Sequence, residues 1–175
     1  IDTAIALFVD RAPDVALNLH VGGMPAIERG LMDGRFQVGI LPTHRSSQSL
    51  VYETLFGEDM RLYAGASHPL FAADHAALDW DALRAWPFAG LGYHSPNMEL
   101  GHRERLPRKA TGFDQESIAT LILSGRYLGF LPDHYAEAFE RRGHMRAIRP
   151  ELFFYCCEFV SVLRRSPQPP RAAQA

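Results

Sequence analysis

The sequence predicts an α/β protein built as two lobes. Three observations lead there. Helix-type and strand-type stretches alternate from Thr3 to Leu41, and the same alternation restarts at Pro87. Two long extended stretches, Leu50 to Ala64 and Leu152 to Arg164, join the two blocks. Helix and strand in turn, with short connections, build a parallel sheet covered by helices, and two such blocks joined by long strands make a hinged pair.

In the first block, Thr3 to Arg11 carries Ile5, Leu7, Phe8 and Val9 and stops at Ala12-Pro13-Asp14, so it reads as a helix ended before the proline. Val15, Leu17, Leu19 and Val21 then alternate with Ala16, Asn18 and His20, the period of a strand, closed by Gly22-Gly23. Pro25 suits the first turn of a helix running to Asp33-Gly34, where glycine supplies the stop. Phe36 to Leu41 is an apolar run bounded by Gly34 and Pro42, which predicts a strand buried on both faces. Thr43 to Ser49 is a polar loop. The extended stretch after it is expected to break at Gly57-Glu58-Asp59.

A short helix at Leu78 to Leu83 leads into the second block. There the pattern predicts a strand from Pro87, a helix from Asn97 to Arg105, a strand from Arg108 to Thr111 and a helix from Gln115 to Ser124. A strand from Tyr127 to Leu131 and a helix from Asp133 to Arg142 follow. Pro132 again opens a helix, and the prolines at 167, 169 and 170 end the last strand.

Composition removes several classes of function. With 47% hydrophobic and 22% charged residues the chain has the balance of a globular protein. No apolar run approaches the roughly 18 residues that cross a bilayer. No charged and apolar leader opens the sequence, so a cytoplasmic protein is expected. A net charge of -2 argues against this segment gripping nucleic acid itself. The eight histidines are scattered without metal-ligand spacing, and no nucleophile-elbow string occurs, so neither a metal, a cofactor nor an enzyme is expected. The adjacent Cys156 and Cys157 lie in an apolar run whose strand geometry points them to opposite faces, which predicts two buried free thiols.

Several strings together resemble one family. Phe8-Val9-Asp10-Arg11-Ala12-Pro13-Asp14-Val15 is similar to its helix, turn and strand. It is followed at the expected spacing by Gly22 and by Leu31-Met32-Asp33-Gly34-Arg35-Phe36-Gln37-Val38-Gly39-Ile40. Ser67-His68-Pro69-Leu70, Ser124 to Pro132 and Val162-Leu163-Arg164-Arg165 match later segments in the right order. The resemblance is to the effector-binding domain of LysR-type transcriptional regulators. It implies two Rossmann-like lobes joined by two crossover strands, a fold like that of type 2 periplasmic binding proteins. Lobe I would comprise residues 1–62 and 160–175, and lobe II residues 65–155. The family's DNA-binding helix-turn-helix is not in this sequence, so DNA contact is expected only through a parent protein. The rival reading is a periplasmic solute-binding protein with the same fold.

The resemblance places a small-molecule effector between the lobes, where helix N-termini favour an anion and strand carboxyl ends carry the contacts. The candidate residues are Met24, Thr43, His44, Tyr93, His94, Ser95, Phe113 and Asp133. Tyr93 and Phe113 offer faces for a flat apolar body. An exposed loop histidine serves equally well for His94, and Asp114 suits an N-cap as well as a pocket edge. The family also implies a homodimer, with a tetramer open for the parent. Asp2 to Asp10 and Ala16 to Val21 would face Asn97 to Thr111 of the second copy. Ile1, Ile5 and Phe8 form an apolar stripe needing cover, whereas Arg103, Arg105 and Arg108 make the opposing segment basic.

Overall fold

The computed structural model describes residues 2–43 and 46–167. In chain order the elements are α1 (Asp2–Arg11), α2 (Met24–Met32), β1 (Val38–Pro42) and β2 (Leu50–Gly65), then a single 3-10 turn (Pro69–Phe71). There follow α3 (Trp80–Leu83), β3 (Phe88–Leu91), α4 (Pro96–Arg103), β4 (Arg108–Gly112), α5 (Gln115–Leu123), β5 (Leu128–Pro132), α6 (Asp133–Arg141), β6 (Met145–Ala147) and β7 (Phe154–Arg164). The strands are hydrogen-bonded in the order β1-β7-β2-β5-β3-β4, with β6 also on β2. The chain divides into two compact units, one of Ile1–Ile40, Ser46–Glu53 and Ser161–Ala175, the other of Leu41–Arg45 and Thr54–Val160. The long strands β2 and β7 give residues to both.

The larger unit is a three-layer sandwich whose logic follows from side-chain alternation along a strand. Met60, Leu62 and Ala64 of β2 share a face with Phe88 of β3 and with Leu128 and Phe130 of β5. They pack on Leu70, Leu83 of α3 and Leu100 of α4. The residues between them, Tyr63, Ala89, Leu91 and Leu131, face the other way onto Ile118, Ala119 and Ile122 of α5 and Ala136 of α6. Strands β3, β4 and β5 are parallel, with Leu91 opposite Gly112 and Ala89 opposite Gly129, so they end side by side. β2 runs antiparallel to β5, bringing Met60 opposite Pro132.

In the smaller unit α2 buries Met24, Glu28, Gly30 and Leu31. The ring of Phe36 lies where a Cβ on Gly30 would be, and is tilted against the His20 ring with centroids 5.0 Å apart. The guanidinium of Arg165 closes the unit's long-strand end, donating to the carbonyls of Gln48 at 2.9 Å and Leu50 at 3.4 Å.

Four expectations are corrected. Val15 to Val21 keeps its alternation but forms no strand. Val15, Leu17, Leu19 and Val21 are all exposed, Val21 at 94%. A strand needs a neighbouring strand for its backbone groups, and among the described residues no strand pairs with this stretch. β2 runs unbroken through Gly57-Glu58-Asp59, and its neighbour β7 is hydrogen-bonded to it in the sheet. Phe36 lies outside β1, whose Val38 and Ile40 are exposed while Gly39 and Leu41 are buried, so that strand is covered on one face only. Only Cys157 is a buried thiol; Cys156 points to the exposed face, its sulfur over Gly57.

Candidate functional site

Because β3, β4 and β5 end together, the loops that follow them form one edge of the larger unit, beside Glu58 to Met60 of β2. Five predicted residues lie along this edge: Tyr93, His94 and Ser95 in the loop after β3, Phe113 in the loop after β4, and Asp133 at the start of α6 directly after β5. Thr43 lies in the same unit, tied to β7. Its N–H donates to the carbonyl of Glu158 at 2.8 Å and its hydroxyl to the Glu158 carboxylate at 3.3 Å. Met24 belongs to the smaller unit, where it is buried at the start of α2. His44 lies outside the described residues.

Each loop side chain has a local role that sets its position. Ser95 is buried and caps α4, its hydroxyl accepting from Met98 N–H at 3.4 Å and donating to the Tyr93 carbonyl at 3.2 Å. That hydroxyl is thereby spent on the helix start and on holding Tyr93. The Tyr93 phenol is pushed above its ordinary pKa by burial, with Cys157 and Asp114 nearby adding to the effect. It is therefore a neutral hydrogen-bonding group. Phe113 is 65% exposed, with its ring edge where a Cβ on Gly92 would sit. An exposed aromatic ring on a loop lined by glycine is an available stacking face. His94 is exposed, its Nε2 3.5 Å from Glu99.

The acids here are already engaged. Asp114 caps α5 by accepting from Ser117 N–H at 2.7 Å, and this hydrogen bonding holds its carboxyl below the usual range. Asp133 accepts from His134 N–H at 2.7 Å and pairs with Arg61 at 3.1 Å. Glu58 is different. Burial raises its pKa, and its paired basic group among the described residues is His134, 3.8 Å away.

Sequence reasoning missed Glu58, Arg61 and Glu158. Glu58 was visible only as part of an expected break in β2, and nothing local marked the others. Among the described residues no group of three or more His, Cys, Asp or Glu is placed to hold a metal ion. A shallow recess of about 260 Å³ under α4, lined by Phe88, Gly90, Met98 and Leu106 among others, includes none of the predicted residues. No helix among the described residues is long and apolar enough to cross a membrane.

Residues 2–175 match the sequence model of the LysR substrate binding domain. The chain belongs to this family. The family is one of transcriptional regulators, and this chain is the effector-binding domain of that type. One relative, the HTH-type transcriptional activator BauR of Pseudomonas aeruginosa, is 30% identical over 166 residues, which is 95% of this chain and 54% of BauR. The chain thus spans about half the length of that curated relative. Among solved structures, the regulatory domain of CcmR from Synechocystis, in complex with 2-PG, has a TM-score of 0.77 at 16% identity. That match covers 99% of this chain and 85% of the CcmR chain. The cofactor-binding domain of the Cbl transcriptional regulator has a TM-score of 0.78 at 19% identity, with 98% and 79% covered. Identities this low show a shared fold, that of type 2 periplasmic binding proteins.

Proposed function

We propose that this LysR effector-binding domain senses a small organic acid through the loops that end β3, β4 and β5, and that the parent regulator reads the bound state in transcription. The observation that carries this is the convergence of those three loops, each leading into a helix. Of the first-turn N–H groups of α4, α5 and α6, Ser95, Asp114 and Asp133 each take one, and the remaining ones without a helical partner favour a carboxylate. Tyr93 and Phe113 provide aromatic surface beside them, and Thr43 joins them as a contact from the loop after β1. Met24 and His44, expected as contacts from the sequence, belong to the same proposal. The lobe limits read from the sequence, the homodimer through α1 and the α4 to β4 segment, and the DNA-binding and cytoplasmic setting of the parent belong to the same proposal.

Glu58 favours a second reading, that the acid also carries an amine. A half-buried carboxylate whose basic neighbour is an exposed histidine gains from a cation in the ligand. A thermal-shift screen of aliphatic acids, aromatic acids and amino acids on this chain, repeated on Tyr93→Ala and Thr43→Val, tests both. Stabilisation by acids that falls in both variants is expected. Stabilisation untouched by either substitution would place the site elsewhere, and a response confined to amino acids and lost in Glu58→Gln would select the second reading.

A further inference from the structure

The recess of about 260 Å³ under α4 is lined only by residues of the larger unit. Two glycines make its room. Gly90 is on β3 and Gly101 on α4, and a Cβ on either would meet the same atom, Cε1 of Phe88, at 3.0 Å and 3.6 Å. The buried Phe88 ring is thus the floor, and the two missing side chains leave the space above it. A glycine inside a helix weakens that helix relative to alanine, so the recess is kept open at a cost to α4. Met98 and Leu106, both half-buried, add apolar walls. The charged groups that line it, Arg108 and His102, are basic, and no acid joins them. Arg108 lays its stem along the recess, with Cδ 3.1 Å from a Cβ on Gly90, and its guanidinium donates to the Leu91 carbonyl at a long 3.3 Å. Among the described residues no carboxylate pairs with it. The nearby acids are engaged elsewhere, Glu99 at 3.5 Å from His94 and Glu104 at 2.7 Å from Arg103. The helix-end carbonyls that would repel an anion are taken too: those of Leu100 and Gly101 accept from the N–H groups of Glu104 and Leu106, each at 2.9 Å. The exposed Arg105 and Lys109 add to the positive potential.

We infer that this recess is a second ligand site, separate from the loops that end β3, β4 and β5, for a compact carboxylic acid with an apolar body. The carboxylate pairs with the Arg108 guanidinium, a charge-assisted hydrogen bond stronger than the long one to Leu91. The body lies on Phe88 between Gly90 and Gly101, against Met98 and Leu106. At about 30 Å³ for each water-sized group the space holds roughly nine of them, which is the size of cyclohexanecarboxylate. The site stands on its own residues and does not rest on the function proposed above. Because it lies in the segment proposed to face a second copy of the chain, that copy is the rival occupant.

Amide spectra of the 175-residue chain are recorded by NMR during titration with three probes. Cyclohexanecarboxylate has both charge and body, cyclohexanecarboxamide has the body alone, and acetate has the charge alone. The expected result is saturable shifts at Gly90, Gly101 and Leu106 with the first probe and with neither of the others. Arg108→Gln, at an exposed position, should weaken that binding at least about tenfold, the effect of losing one charge-assisted hydrogen bond. Gly101→Leu fills the recess from a helix position that favours leucine and should abolish the shifts. Gly101→Ala sets one carbon at ordinary contact distance from Phe88, so it keeps the fold, and it should weaken binding severalfold. No saturable shift, an equal response to acid and amide, or an affinity unchanged in both Arg108→Gln and Gly101→Ala would overturn the inference. So would shifts confined to residues 93–95 and 113–117, which belong to the loops, or shifts that grow with protein concentration and not with acid, which assign the recess to a second copy. Failure of every acid on the Tyr93 and Thr43 variants' thermal screen would remove the effector reading and leave the recess to be judged by these shifts.

Discussion

Gly125 and Gly143 share a backbone conformation and differ in what surrounds them, so replacing each by alanine separates backbone strain from packing. Both have φ of +69°. Gly125 follows the end of α5, its N–H donating to the carbonyl of Ile122 at 2.9 Å. A Cβ built there would lie 2.7 Å from the Cβ of Ser67 and 2.9 Å from its carbonyl carbon, whereas at Gly143 nothing lies within 4 Å. A side chain in the left-handed region costs about 1–2 kcal/mol by itself. Forcing an extra carbon against packed backbone adds about 1–3 kcal/mol. Gly143→Ala should therefore lose about 1 kcal/mol, and Gly125→Ala about 2–4 kcal/mol. Urea unfolding followed by circular dichroism measures both. In a domain of this size each kcal/mol moves the melting temperature by roughly 2–4 °C. Equal losses would show that Ser67 moves aside freely and that only the dihedral matters, which would refute the packing half of the reasoning.

Three further outcomes are expected. His68 is buried against Trp86 and accepts from Leu70 N–H through Nδ1, and burial lowers its pKa. The unfolded chain then binds the proton more readily, so this contribution to stability is present above the ordinary histidine pKa of 6.5 and falls as pH drops below it. The slope is at most about 1.4 kcal/mol per pH unit; His68→Asn should flatten it between pH 7 and 5 in urea titrations, and an unchanged slope would count against the assignment. Asp114→Ala should cost about 1 kcal/mol by removing the α5 cap, with the difference from wild type shrinking in acid as the depressed Asp114 carboxylate protonates; a difference independent of pH would contradict that role. Phe130→Ala, at the centre of the face shared with Phe88 and Tyr155, should cost about 3–5 kcal/mol in the same assay, and a loss below 1 kcal/mol would mean that the core refills.

What could be read directly was what local chemistry decides. Asp114 before Gln115 and Pro132 before Asp133 mark helix starts within one turn, and α5, β5 and α6 lie where those signals put them. Alternating helix and strand implied parallel strands, and parallel strands place their carboxyl ends together, so the positions of Tyr93, Phe113 and Asp133 after the ends of β3, β4 and β5 were legible in the sequence. Val15 to Val21 shows the limit of the same signal, since its period is that of a strand but pairing depends on a neighbour the period cannot name. Glu58 lay in a stretch read as a break, because Gly57 and Asp59 are poor strand residues by themselves, and their place inside a sheet overrides that preference. Arg149 donates to the carbonyl of Leu78, 71 positions away, at 2.6 Å, and nothing in either local sequence marks that meeting. Local propensity acts over a few residues and is written in their order. Which polar groups meet in the interior is set by packing between distant segments, and that was decided by the tertiary structure alone.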